Sequence, residues 1–292
     1  DPSNPQLPSE SADSPPWVHS PASAACRCWK AEVRGRIWYY PCEVGVSTAP
    51  PHNRVWTQGA PPERHAEAAS RRLVVAGCDP AFALLANLVS QRTDFRLREL
   101  PKGCQASLRL LAAGKVHLAG MHLKSAVGGE HNTLTVRKTV GPGHSLVHLA
   151  SWRSGLALPL GTRFRRVSQV LHSRQRWVGR EPGSGTRQCL DEIRPSGPQP
   201  RLIANDHRGV IFAIQPGWAD VGIAPRKLCE EGALGFLDVR REISGLCERR
   251  EDLADPRLTA LLRILRSAEF RRLLAELPGY DTTRTGQVRH AS

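Results

Sequence analysis

RLVVAGCDPAFALLANLVSQ, residues 72–91, decides the fold. Leu73 to Ala76 form an unbroken apolar run of strand length, and Gly77 permits a tight exit from it. From Asp79 onward the apolar residues fall at helical spacing. Asp79 is suited to cap the helix and Pro80 to take its first position, where no backbone N–H is needed. The same alternation continues outward. FRLRELP (95–101) reads as a strand, CQASLRLLAAG (104–114) as a helix ended by Gly114, and VHLAGMHL (116–123) as a strand. After a turn-rich stretch around Gly128 and Gly129 come SLVHLASW (145–152), GLALPLG (155–161), helix RVSQVLHS (166–173), strand RQRWVGRE (174–181) and a helix opening at GSGTRQCLDEI (183–193). RLIAND, HRGVIFAIQPG, ADVGIAP, RKLCEEG and GFLDV carry the pattern to residue 239, and residues 255–277 form one or two amphipathic helices. Strands alternating with helices of this length predict a layered α/β domain with a mostly parallel sheet.

Upstream of residue 71 the character changes. Residues 1–25 and 47–70 are rich in Ser, Pro and Ala and read as flexible, while RGRIWYYP (34–41) reads as a strand pair around a Gly35 turn. That hairpin resembles the wing of a small DNA-reading module, but the two helices that should precede it are absent from the pattern. The first fifteen residues show neither a basic start nor an apolar stretch, and no run of about 18 apolar residues occurs, so neither a signal peptide nor a membrane span is expected.

Lys and Arg total 41 against 27 acidic residues, a formal net charge of +14 over 292 residues. Residues 1–70 are nearly balanced, so the excess belongs to residues 71–292 and suits an anionic partner without naming one. The eight cysteines are sparse and irregular with no C-x2-C pair, which favours reduced thiols; Cys26, Cys28, Cys42 and His52 are too loosely spaced to be read as a zinc site. No H-E-x-x-H or G-x-S-x-G occurs, and a Ser184–His207–Asp220 triad has no support in the spacing, so no catalytic residues, metal ligands or cofactor are assigned.

Two strand-to-helix junctions carry the binding chemistry, because helix N-termini at strand carboxyl ends turn backbone amides outward. One is Cys78–Asp79. The other is Ser184, Gly185, Thr186 and Arg187, small and hydroxylated residues followed by a fixed cation, a recipe for an anion nest.

GCDPAFALL, VHLAGMHL, REPGSGTRQCLDE, NDHRGVIFAIQPGWADVGIA and the closing DPRLTALLRILRSAEFRRLLAELPGYDTTRTGQV resemble, in order and spacing, the periplasmic-binding-protein-like domain of molybdate-type transcriptional regulators. The resemblance implies a type II periplasmic-binding-protein-like α/β fold over residues 71–288, two lobes with a hinge, preceded by a small irregular N-terminal region (1–70). Lobe one is expected over 71–150 and 245–288, and lobe two over 151–244. Ligand contacts are expected from Cys78, Asp79, His122, Lys124 and Ser125 on lobe one, and from Ser184, Gly185, Thr186, Arg187 and Asp220 on lobe two; His207 is read as a core or capping histidine. The implied function is a cytoplasmic, ligand-sensing regulator that binds molybdate, tungstate or a related oxyanion, with DNA contacted through an N-terminal region that is degenerate or incomplete here. The alternative is a binding protein of a molybdate or tungstate importer.

Overall fold

The computed structural model describes residues 16–21, 25–42, 54–57, 67–124 and 131–290. It divides into two compact units, residues 1–72 and 73–292.

In the first unit, β1 (Ala25–Val33) and β2 (Arg36–Pro41) form an antiparallel hairpin closed at Arg34–Gly35, both with positive φ. This is the geometry that matches a two-residue turn to strand twist. Trp29 stacks on its cross-strand partner Tyr40 with ring centroids 4.0 Å apart. β3 (Arg54–Thr57) pairs with the other edge of β1. Part of the stretch expected to be flexible is therefore a strand; residues 1–15 and 58–66 lie outside the described residues. The described residues of this unit contain one helix, α1 (Glu67–Ser70), so the helix pair of a DNA reader is not among them.

The second unit is built on one ten-stranded sheet. Its first half comprises β4 (Arg72–Gly77), α2 (Phe82–Arg92), β5 (Arg96–Pro101), α3 (Cys104–Ala112), β6 (Leu118–Lys124) and α4 (His131–Val140). There follow β7 (His144–Leu158), α5 (Val167–Leu171), β8 (Trp177–Arg180), α6 (Gly185–Ile193), β9 (Leu202–Ala204), α7 (His207–Ile214), β10 (Val221–Pro225) and α8 (Arg226–Glu231). The chain returns through β11 (Gly235–Arg249) and closes with α9 (Pro256–Leu265), α10 (Ala268–Ala275), β12 (Tyr280–Asp281) and β13 (Val288–His290). The strand order is β5-β4-β6-β11-β7-β10-β8-β9. β4 runs parallel to β6, and β8 runs parallel to both β9 and β10. The antiparallel pair β7–β11 joins these two parallel sets through the middle.

Three departures from the sequence reading have physical causes. α2 begins at Phe82 rather than at Pro80, and Asp79 caps the turn before it by accepting from Ala81 N at 2.8 Å. SLVHLASW and GLALPLG are one strand, not two. Gly155 is not a turn residue; a Cβ there would stand 2.2 Å from Leu237 O, so glycine is what lets β7 lie against β11 at that point. Finally, α4 was not expected, because HNTLTVRKTV has weak apolar periodicity.

Apolar burial accounts for the layers. On one half, Leu73, Val75, Phe82 and Leu85 pack with Leu258, Leu261, Phe270 and Leu274, so the C-terminal helices cover the β4 region. On the other half, the sheet is covered by Val210, Ile211, Ile214 and Leu228 in one cluster and by Val170, Cys189 and Leu190 in another. Burying each such side chain contributes about 1.5–3 kcal/mol.

Candidate functional site

The carboxyl ends of β4, β6 and β8 and the N-termini of α6 and α7 converge on a buried polar cluster. Cys78, the first residue after β4, places Sγ 3.3 Å from Nε2 of His122 on β6 and 3.7 Å from Nε2 of His207, the first residue of α7. All three are shielded; Cys78 is 9% exposed and each histidine 2%. Each imidazole is anchored at its other nitrogen. His122 Nδ1 lies 2.7 Å from Glu242 Oε2, and His207 Nδ1 lies 3.4 Å from Thr186 Oγ1. Glu242, fully buried on β11, accepts from Trp152 Nε1 at 3.3 Å and from Arg240 Nε at 3.0 Å. Arg240 also donates to Gly185 O at 2.9 Å and pairs with Glu192, tying β11 to α6.

The charges follow from these contacts. Burial pulls His122 toward neutrality, but Cys104, Cys78 and Glu242 outweigh it and hold the ring well above its usual range. Burial, together with Arg180 and His122, drives His207 well below its usual range, so it is neutral. Glu242 is held below the ordinary range: burial opposes ionisation, and His122 and Arg240 prevail. Cys104 likewise is lowered against its own burial by His122, whose backbone N–H donates to its sulfur at 3.4 Å.

Arg180 ends β8 with its side chain 0% exposed. Nε and Nη2 donate to Glu181 at 2.8 and 2.9 Å, and Nη2 also reaches Asn205 O at 3.2 Å. Nη1 is buried and has no oxygen or nitrogen partner among the described residues, the Cys78 sulfur being the acceptor near the guanidinium. Burial opposes its charge, but the nearby Cys78 sulfur and Glu181 carboxylate keep the guanidinium more basic than usual.

Of the residues expected to bind ligand, Cys78, His122, Gly185 and Thr186 come together. Gly185 is required by close approach, since a Cβ would lie 2.4 Å from His122 O. Ser184 is the α6 cap, donating to Glu181 O and accepting from Arg187 N at 3.1 Å. Arg187 turns away to Asp191 at 2.9 Å and to Gln199. Both residues line a groove of about 590 Å3 between α3 and α6, which meets the cluster at Cys104. Asp79 is 3% exposed, bonded to Ala81 N, Ser244 Oγ and Tyr280 Oη, and raised by its burial. Asp220 stands apart from the cluster. It precedes β10 at the amino end of the parallel strands and is paired with Arg176 at 2.6 Å, the opposite end from Arg180. Lys124 closes β6, and Ser125 lies outside the described residues.

The expected amide nests are largely occupied by their own caps, and the Cys78, His122 and His207 side chains meet across the space between the two turns. Arg180, His207 and Glu242 were not picked out as site residues. For Arg180 the available signal was a charged residue ending the otherwise apolar strand WVGR; Glu242 and His207 carried no such local mark.

A family model described as the PBP superfamily domain matches residues 86–266, over half of the chain. The uncharacterized protein YvgK of Bacillus subtilis (strain 168) is 26% identical over 216 residues, covering 69% of this chain and 70% of that protein. Among solved structures, one from Clostridium perfringens, described as a phosphate ABC transporter substrate-binding protein with bound phosphate, superposes with a TM-score of 0.56. It is 14% identical, with 70% of this chain and 97% of that one covered. PhnD1 from Prochlorococcus marinus in complex with methylphosphonate gives 0.50 at 10% identity, covering 74% and 94%.

Proposed function

Since the chain belongs to the PBP superfamily domain family and has the two-lobed type II periplasmic-binding fold, we propose that its second unit is a ligand-sensing module for a compact oxyanion of the molybdate class. The observation that carries this reading is Arg180. A wholly buried guanidinium whose Nη1 has no oxygen acceptor and only the Cys78 sulfur nearby is costly to leave so poorly met, and a tetrahedral oxyanion supplies a short, charge-assisted acceptor. Thr186, against His207 at the start of α6, adds a hydroxyl, and the α6 dipole favours an anion at that end. The structural relatives described with phosphate and methylphosphonate carry tetrahedral oxyanions of the same charge class. Because Cys78, His122 and His207 are in mutual contact, the anion enters as the lobes part about the β7–β11 pair.

In the wider reading this module is the sensing part of a cytoplasmic regulator of transcription, to which the basic balance of residues 71–292 is suited. Closure acts as a switch to the extent that the anion binds the closed form better. Calorimetric titration with molybdate, tungstate, sulfate and phosphate tests the ligand, and a gel shift at rising salt tests DNA. Replacing Arg180 by Met is expected to weaken the favoured anion by about 10- to 100-fold, the worth of a charge-assisted hydrogen bond. An unchanged affinity, or no binding of any of the four, overturns the reading.

A further inference from the structure

The three side chains that meet at the centre of the site are all metal-ligating types, and their donor atoms face one another. Cys78 Sγ, His122 Nε2 and His207 Nε2 all lie within 4.8 Å of each other. In a tetrahedral zinc centre, with Zn–S about 2.3 Å and Zn–N about 2.0–2.1 Å, adjacent sulfur and nitrogen donors stand about 3.5 Å apart. The two sulfur–nitrogen separations here, 3.3 and 3.7 Å, straddle that value.

The surroundings point the same way. A metal-bound histidine is ordinarily steadied at its far nitrogen by a carboxylate or another polar group. Here Glu242 does this for His122 and Thr186 for His207, which leaves both Nε2 atoms directed at the sulfur. Glu242 is in turn fixed by Arg240 and Trp152.

We infer that Cys78, His122 and His207 form a three-donor site for a borderline-soft divalent cation of the zinc class, with its fourth position left to an anion. The site goes beyond the oxyanion reading and does not depend on it. On binding, metal bonds replace the sulfur–hydrogen bond of Cys78 and the Nε2–hydrogen bond of the charged His122 ring, and both protons pass to the buffer; nothing is oxidised or reduced. Arg180, wholly buried beside the Cys78 sulfur, is the cation that an anion in the fourth position would meet.

Co2+ serves as a spectroscopic stand-in for Zn2+, titrated into the full chain after chelator treatment and under a phosphine reductant. The expected result is one Co2+ per chain with thiolate-to-cobalt charge-transfer absorption and the visible bands of a four-coordinate ion. Cys78→Ser should abolish the charge-transfer band, and His207→Gln should weaken binding at least as much. Thr186→Val, which leaves all three donors in place, should weaken it about 10- to 100-fold. Thermal melts confirm that each variant is folded. A charge-transfer band that survives Cys78→Ser, or affinity unaltered in both His207→Gln and Thr186→Val, overturns the site. Molybdate calorimetry with and without Zn2+ keeps the two readings apart. Cobalt binding without molybdate heat overturns the oxyanion reading alone, and molybdate heat without cobalt binding overturns the metal site alone.

Discussion

Glu248, near the end of β11, is 1% exposed, and its Oε2 has no hydrogen-bond partner among the described residues. Burial pushes its carboxyl from 4.5 up to about 7, with Arg266 pulling weakly the other way. The folded state therefore prefers the protonated acid. The stability this brings is complete below pH 4.5 and is lost as pH climbs through about 7. Each tenfold change in proton affinity is worth about 1.4 kcal/mol, so the full loss is about 3 kcal/mol, of which roughly 2–3 kcal/mol falls between pH 5 and 8. Glu248→Gln removes the ionisation while keeping the shape. Urea unfolding of both proteins at pH 5, 6, 7 and 8 should show the variant gaining on the parent by that amount as pH rises, with similar m-values. Two stability curves that run parallel across this range would refute the argument, because other titrating groups are common to both proteins and cancel.

Gly185→Ala should drive the start of α6 away from His122 O, costing about 1–3 kcal/mol of stability by overpacking and lowering anion affinity in the same protein; thermal melts and calorimetry read the two effects. Unchanged values of both would show that α6 does not bear on β6 in solution. Asp220→Asn should leave anion affinity within about twofold and cost under about 1 kcal/mol, as expected for a partly exposed ion pair at the far end of the strands. A large loss of affinity would place Asp220 in the site after all.

The parts of the fold legible in the sequence were those in which several local signals agree. Leu73–Gly77 is an uninterrupted apolar run with a glycine exit, and Ser184 stands where an α6 cap is needed; both local structures form as the pattern implies. Long-range register carries no such local mark. Glu242 reaches His122 only because β11 pairs with β6 on one side and β7 on the other, through bulges at Asp238/Arg240 and Ser244/Gly245 that no periodicity announces. His207, read as a core or capping histidine, is buried as the first residue of α7 behind an Asp206 cap; that α7 starts opposite Cys78 is a matter of topology. Asp220 shows the converse. Its position before the apolar VGIAP run placed it at an amino end, away from the carboxyl ends where ligands gather, so strand direction was the clue to weigh.

The fifteen-residue strands β7 and β11 do more than connect. Hydrogen-bonded along nearly their whole length, they make the link between the two parallel sets a stiff ribbon rather than a pair of loose tethers. Glu242, opposite Trp152 on that ribbon, steadies the innermost imidazole. A single beam thus both spans the sheet and carries the carboxylate that sets the tilt of His122.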